Sequence, residues 1–322
     1  MADGRGAERN GPGRADRGRA RRREVLVVGA YFADLVFREL DRPVRAGTEV
    51  FAEALDLLPG GAYTPAMALH RLGRDVVWST DFGADLFSGQ VLAAARAEGL
   101  DEAAFRHHPG PLRSVTVSLS TPGDRAMVSY QDPVDGRPLA ALLREYRPAV
   151  LLLPQLRYGA EVLAALRLAR RLGTEVFMDC QDTPGTLDTP TVREVLAEVD
   201  VFAPNADEAL RLTGAGTVDE ALDRLGGLAR TVVVKRGADG ACAVRDGKRH
   251  DVAAAPAEAV DTTGAGDCFN AGFVHARLGG RELPDCLAVA VACGAAATTG
   301  PGSSRAPDAA GLREWLARVP HR

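Results

Sequence analysis

Residues 261–272 read DTTGAGDCFNAG and set a Gly-Ala-Gly turn directly ahead of a carboxylate. The preceding stretch, 252–260, is rich in alanine and proline and extended in character, whereas 269–278 carry the apolar spacing of a buried helix. Gly264, Ala265 and Gly266 are therefore expected to open that helix. A helix start leaves backbone N–H groups unpaired and adds the positive end of the macrodipole, and glycines let a phosphate come close to the backbone. Asp267 follows inside the first turn. A carboxylate beside an anion site repels phosphate unless it has a task, and the task open to it is to take the proton of an attacking hydroxyl. Gly-x-Gly followed by Asp also arises by chance, and Asp favours a first turn for structural reasons, so the string needs support from the rest of the chain.

The scaffold that would hold this segment is an alternation of short apolar runs and helical patterns, as expected of a mostly parallel sheet covered by helices on both faces. Strands are expected near 25–29, 76–79, 150–153, 176–179, 201–203 and 232–235, and helices near 64–72, 86–98, 160–172, 191–198, 207–212 and 218–225. In such sheets ligands gather at the carboxyl ends of the strands. Asp34 would follow the first strand, Asn205 the fifth and Gly237 the sixth. Two stretches, 44–58 and 114–131, break the rhythm with period-two character and turn residues such as Pro122-Gly123-Asp124.

Further landmarks accompany DTTGAGDxFxxG. Gly60-Gly61 precedes AMALHRLG at 66–73; then come Asp81-Phe82-Gly83-Ala84-Asp85, Asn205-Ala206-Asp207-Glu208 and Lys235-Arg236-Gly237-Ala238-Asp239-Gly240. In this order they resemble the ribokinase family, the phosphofructokinase B type sugar and nucleoside kinases, from about residue 24 to 307. The resemblance implies a ribokinase-like α/β domain over 24–322, with lid segments near 37–58 and 112–131, following an Arg/Gly-rich tail at 1–23. It implies an ATP-dependent kinase with Asp267 as catalytic base and Gly264, Ala265 and Gly266 as the anion hole. Asn205, Glu208, Lys235 and Gly237 fall to the nucleotide and its Mg²⁺, although Asn205 and Glu208 read equally well as a helix cap and Lys235 could simply reach solvent. Asp261 and Thr263 match positions that help hold K⁺, with backbone carbonyls from 295–302 as the other ligands. Asp34, Gly60 and Gly61 would meet the sugar, and a lid of this kind often pairs two subunits, which implies a homodimer.

The acceptor end departs from the family pattern. Anchored on His70-Arg71-Leu72-Gly73, Thr64 takes the place of the usual hydroxyl-binding Asn, so a hydroxyl replaces an amide. Ala62 stands where phosphosugar kinases carry a lysine-bearing turn, and Arg38, Arg42, Arg45 and Arg113 are the cations that could compensate. Phe32 and Tyr63 could stack on a base. A hydroxymethyl group of a free sugar or sugar-like compound is thus the preferred acceptor, a nucleoside the alternative, and a non-catalytic sugar- or nucleotide-binding relative a third reading. A nicotinamide oxidoreductase is excluded, because Gly29 is followed by Ala30-Tyr31-Phe32 in place of the G-x-G-x-x-G turn.

Bulk properties agree with a small-molecule enzyme. The 322 residues, 46% hydrophobic, suffice for one large core, and a net charge of −4 argues against nucleic acid as the main partner. Five scattered cysteines without a C-x-x-C pair read as buried thiols in a reducing cytoplasm. Only Lys235 and Lys248 stand against an excess of arginine, which sets Lys235 apart from its background. Residues 1–23 hold eight arginines and no apolar segment, and are expected to be disordered and not to form a secretory signal.

Overall fold

The computed structural model describes residues 22–121 and 124–320. The chain lays down β1 (Val25–Val28), β2 (Tyr31–Arg38), β3 (Ala54–Gly61), α1 (Tyr63–Arg71), β4 (Val76–Phe82), α2 (Leu86–Glu98), β5 (Phe105–His107), β6 (Ser114–Thr121) and β7 (Asp124–Gln131). It continues through α3 (Leu139–Tyr146), β8 (Val150–Leu153), α4 (Ala160–Leu172), β9 (Glu175–Met178), α5 (Val192–Leu196), β10 (Val201–Phe202), α6 (Ala206–Thr213) and α7 (Val218–Gly226). Then come β11 (Thr231–Lys235), β12 (Ala241–Arg245), β13 (Lys248–Val252), α8 (Ala265–Leu278), α9 (Leu283–Ala297) and α10 (Ala309–Leu316).

The expected strands join in one nine-stranded sheet, ordered β13-β12-β11-β10-β9-β8-β1-β4-β5. Pairing is parallel from β11 to β5 and antiparallel at the β12–β13 edge. Alternation along each strand divides the core between the two faces. Val25, Val27, Leu152, Phe177 and Val233 pack under α1, α8 and α9, while Leu26, Leu151, Leu153, Val176, Met178, Val232 and Val234 pack under α3 to α7. This is the ribokinase-like arrangement expected. All five cysteines are buried and free. Among the described residues no helix is long and apolar enough to cross a membrane.

A second sheet, β3-β2-β6-β7, stands apart from the first. Here the structure corrects several expectations. Only Ala54–Gly61 of the 44–58 region is strand; before it, Glu39 and Gly47 take positive φ, and Pro43 has no N–H to donate to a ladder. Asp34 does not follow the first strand but lies within β2, an eight-residue strand of its own. Gly60-Gly61 ends β3, paired with Phe32 and Tyr31, and forms no turn between strands. The turn at Pro122-Gly123, and 1–21 of the tail, lie outside the described residues. Arg22 and Arg23, counted with the tail, are anchored: Arg22 donates to the Gly173 carbonyl at 2.8 Å, and Arg23 pairs with Asp75 at 2.9 Å and Asp101 at 2.7 Å. Helix α9 went unrecognised in the sequence because it is apolar on nearly all sides and presents no amphipathic stripe.

Candidate active site

Helix α8 begins where expected. Gly264 is its N-cap at φ +74°, a left-handed conformation, and a Cβ there would press on Thr64 Cγ2 at 3.1 Å and Ser303 Cβ at 3.2 Å. No side chain caps this end. Ala265 N–H donates to the Thr262 carbonyl at 3.3 Å, and the first-turn residues Ala265, Gly266 and Asp267 line a cavity of about 620 Å³ together with Asn205, Glu208, Lys235 and Gly237, among others. Each nucleotide-site residue expected from the sequence is thus brought to one hollow with the helix start.

Behind it lies a charged network organised by Asp179, one residue past β9. Its side chain is buried, yet its carboxylate accepts from Lys235 Nζ at 2.6 Å, Asn270 Nδ2 at 2.5 Å and the Cys180 N–H at 2.7 Å. Lys235 consequently does not run out to solvent. Burial opposes its charge, but Asp179 and Glu208 outweigh burial, and its pKa ends above the ordinary lysine value. Asp267 is pushed up to about 8, first by burial and then by Asp179, with Lys235 acting against them and Asp34 and Glu208 adding to the rise. Glu208 is raised by burial and by Asp179. It also completes a reciprocal cap with Asn205: Glu208 N–H donates to Asn205 Oδ1, and Asn205 N–H to Glu208 Oε2, both at 2.8 Å. The capping reading of this pair therefore holds in the geometry, and both residues line the cavity as well.

Asp261 joins two loops. Its Oδ1 accepts from the Thr263 N–H at 2.8 Å and its Oδ2 from the Gly302 N–H at 2.7 Å. Of the carbonyls expected to face a cation here, those of Ala295 and Ala296 already accept the hydroxyls of Thr298 and Thr299 at 2.8 Å. A monovalent ion beside Asp261 would draw on the remaining carbonyls of 299–302. Among the described residues no three His, Cys, Asp or Glu side chains form a metal cage. Mg²⁺ would fit here as a companion of bound phosphates, with Glu208 and Asp267 as the carboxylates on the cavity wall beside Asp179, in the manner usual for this ion.

Asp34 reaches the same region from the second sheet. Burial, reinforced by Asp261 and eased by Thr116, raises its pKa to about 7. Gly60 makes its place possible, since a Cβ there would fall 2.1 Å from Asp34 Oδ2. Thr64 is buried near the start of α1 with its methyl against Gly264. Gly61 borders a smaller cavity of about 220 Å³ that also touches Phe32, Gln155, Arg157 and Gln181. Gln181 lines both cavities.

Other expectations fall away. Tyr63 is core, edge-on to Trp78 at 6.1 Å, and is not offered to a base. Arg38 is held by Asp56 and Arg113 by Asp132, while Arg42 and Arg45 are exposed. Sequence reasoning missed Asp179, Asn270 and Arg157. Asp179 offered a signal as a carboxylate ending an apolar strand; Asn270 sits three residues after Asp267, on the same face of α8.

A family model described as pfkB family carbohydrate kinase matches residues 22–309. Ribokinase of Arabidopsis thaliana is 28% identical over 296 residues, covering 83% of this chain and 74% of that protein. Acarbose 7(IV)-phosphotransferase of an Actinoplanes species is 29% identical over 292 residues, covering 87% of this chain and 93% of that protein. Among solved structures, Arabidopsis ribokinase complexed with ribose and ATP superposes with a TM-score of 0.75 at 23% identity, over 92% of this chain and 99% of that one.

Proposed function

The chain belongs to the pfkB family of carbohydrate kinases, and from that premise we propose that it transfers the γ-phosphoryl group of ATP to a hydroxyl, preferably a hydroxymethyl, of a small sugar-like acceptor, with Asp267 as the base. The observation that carries the reading is the position of Asp267. It stands in the first turn of an uncapped helix, on the wall of the larger cavity and within the field of Asp34.

In this reading the nucleotide occupies the 620 Å³ cavity, with Gly237 allowing close backbone approach and Lys235 and the start of α6 near its phosphates. The acceptor lies between Asp34, Gly60, Gly61 and Thr64. Its hydroxyl oxygen forms a bond to the γ-phosphorus as the bond to the β–γ bridging oxygen breaks, ADP departs with that electron pair, and the hydroxyl proton goes to Asp267. The N–H groups of 264–266 face the charge that builds on the transferred group. Mg²⁺ on the nucleotide would neutralise phosphate charge next to Asn205 and Glu208. K⁺ beside Asp261 and Thr263 is a further part of the proposal, and a rate indifferent to replacing K⁺ by a large organic cation would remove it.

The second sheet acts as the lid. Its register aligns Leu57, Leu35, Val117 and Val128 in one row and Leu55, Phe37, Leu119 and Ala126 in the next, on one face. Val128 is 69% exposed and Leu55 57%. Such a face favours burial against a second copy, and we assign the chain a homodimer through it. Buried free thiols are in keeping with a reducing cytoplasm. A nucleoside acceptor retains Phe32 but loses Tyr63 to the core, and the intact Asp267 segment weighs against a purely binding role.

The test is ADP release across pentoses, hexoses, polyols and nucleosides with Mg²⁺ and K⁺ present, against Asp267→Asn as background. Selective turnover abolished by the substitution supports the reading; turnover equal in both proteins overturns the assignment of the base.

A further inference from the structure

The smaller cavity carries one charge that none of the described residues answers. Its wall includes three arginines, Arg113, Arg137 and Arg157, and two aspartates, Asp81 and Asp132. Arg113 is bound to Asp132 at 2.9 Å, Arg137 is paired with Glu145, and Asp81 holds Arg106 at 2.6 Å and His108 Nε2 at 2.7 Å. Arg157 has no such partner. Half-buried just beyond β8, it makes no hydrogen bond or ion pair with any described residue, and burial alone acts on it, holding its guanidinium below the ordinary arginine value. The neutral amides of Gln155 and Gln181 border the same space.

Withdrawing a guanidinium from water without a counter-charge is unfavourable, and a planar fork of donors in that state is matched by a carboxylate or a phosphate ester. We propose that the acceptor carries an anionic group, held by Arg157, at the end of the molecule remote from the hydroxyl that is phosphorylated. This rests on the kinase reading of the same site. Phe32, on the cavity wall, and Asp34, beside the site of transfer, are alternate residues of β2 and share a face of the strand. Two strand residues separate Phe32 from Asp34 by roughly 7 Å, and Gln181 lines both this cavity and the one that holds Asp267, so the anion site adjoins the site of transfer. A neutral sugar would leave the guanidinium unanswered.

The experiment compares gluconate and glucuronate, glucose 1-phosphate and fructose 6-phosphate, and glucose and fructose, as acceptors and as stabilisers of the protein against heat. The proteins are wild type, Arg157→Gln, Arg157→Lys and Asp267→Asn. The expectation is that wild type prefers an acidic member over its neutral counterpart by at least ~30-fold in kcat/KM. Arg157→Gln should lose about 10²-fold with that acid, mainly through KM, while neutral sugars change by less than ~3-fold. Arg157→Lys, which keeps the charge, should retain part of the preference, and it serves if the glutamine variant folds poorly. Preference within the acidic set tells carboxylate from phosphate. If no acceptor turns over, yet an acid stabilises wild type and Asp267→Asn but not Arg157→Gln, the anion site stands and the kinase reading falls. Neutral sugars as best acceptors, a preference unchanged in Arg157→Gln, or no turnover and no stabilisation by any acid overturns the proposal.

Discussion

The two cavities meet at Gln181 yet are built on different principles. Around the larger one, Asp179, Glu208, Asp267 and Lys235 form a mutually responsive cluster in which carboxylates outnumber the lysine, and burial pushes Asp267 and Glu208 up. Around the smaller one, charges are matched in arginine–carboxylate pairs, with Arg157 left over. A cluster kept short of positive charge is suited to a polyphosphate that arrives with its own cations. A walled pocket with one spare cation is suited to selecting a particular small molecule. The difference teaches where damage should show: on the phosphoryl side every acceptor should suffer alike, whereas on the acceptor side only the choice of acceptor should change.

The largest effect is expected from breaking the Asp179–Lys235 pair. Lys235→Met leaves a buried carboxylate with only Asn270 and the Cys180 N–H, and should destabilise the protein by about 3 kcal/mol in denaturant titration. Asp179→Asn combined with Lys235→Met should recover part of that loss. A single substitution costing less than ~1 kcal/mol would show that the cluster is no more tightly coupled than the surface pairs of the acceptor side.

Asp267→Asn comes next, with a loss in kcat of at least ~10²-fold for every acceptor and nucleotide binding largely retained. It also carries a sign. The folded-state pKa of Asp267, about 8, lies above the ordinary carboxylate value. The native state therefore holds the extra proton between about pH 4 and 8, and stability is lost as pH rises through that window. Thermal unfolding of the ligand-free protein at pH 8.5 should accordingly find the asparagine variant more stable than wild type, with the gap closing towards pH 4. In wild type, kcat/KM should climb with pH up to about 8, since the base must be free of its proton. A flat profile would mean that the proton on Asp267 does not limit the free enzyme.

Gly60→Ala probes the other side. The added Cβ would lie within 2.1 Å of Asp34 Oδ2, so the aspartate must move. We expect KM for the acceptor to rise about 10-fold or more while KM for ATP stays within ~2-fold. Equal losses in both would erase the distinction between the two halves.

What the sequence disclosed follows the same division. The proposed transfer segment is contiguous: the Gly-Ala-Gly turn, Asp267 and the helix that presents them lie within 261–278, so local rules suffice to read their arrangement. Parallel strands of valine and leucine were equally legible because both their faces are buried. The smaller cavity draws on β2, β3, the loop before β6 and the turn after β8, and only the fold brings Phe32, Gly61, Arg113 and Arg157 together. Arg157 could not stand out among so many arginines, because its distinction is the lack of a partner, which is a property of space and not of sequence. Asp34 was found but misplaced, since β1 and β2 are separated by two residues and the short gap hides the passage from one sheet to the other.

The smallest effect on the fold is expected on the exposed face of the second sheet. The apolar rows of the second sheet include Leu57, partly exposed, and Val128, largely exposed, and the pleat points both residues to the same outer face. Charge placed there meets water in a monomer and apolar surface in a dimer. Leu57→Glu with Val128→Glu should leave the unfolding free energy of the single chain within ~1 kcal/mol, yet shift light scattering from dimer to monomer. If acceptor selectivity is unchanged in the resulting monomer, specificity resides within one lid and one Arg157. A selectivity that collapses with the dimer would instead make the partner's lid part of the acceptor pocket, and the contrast between the two halves would then extend across the interface.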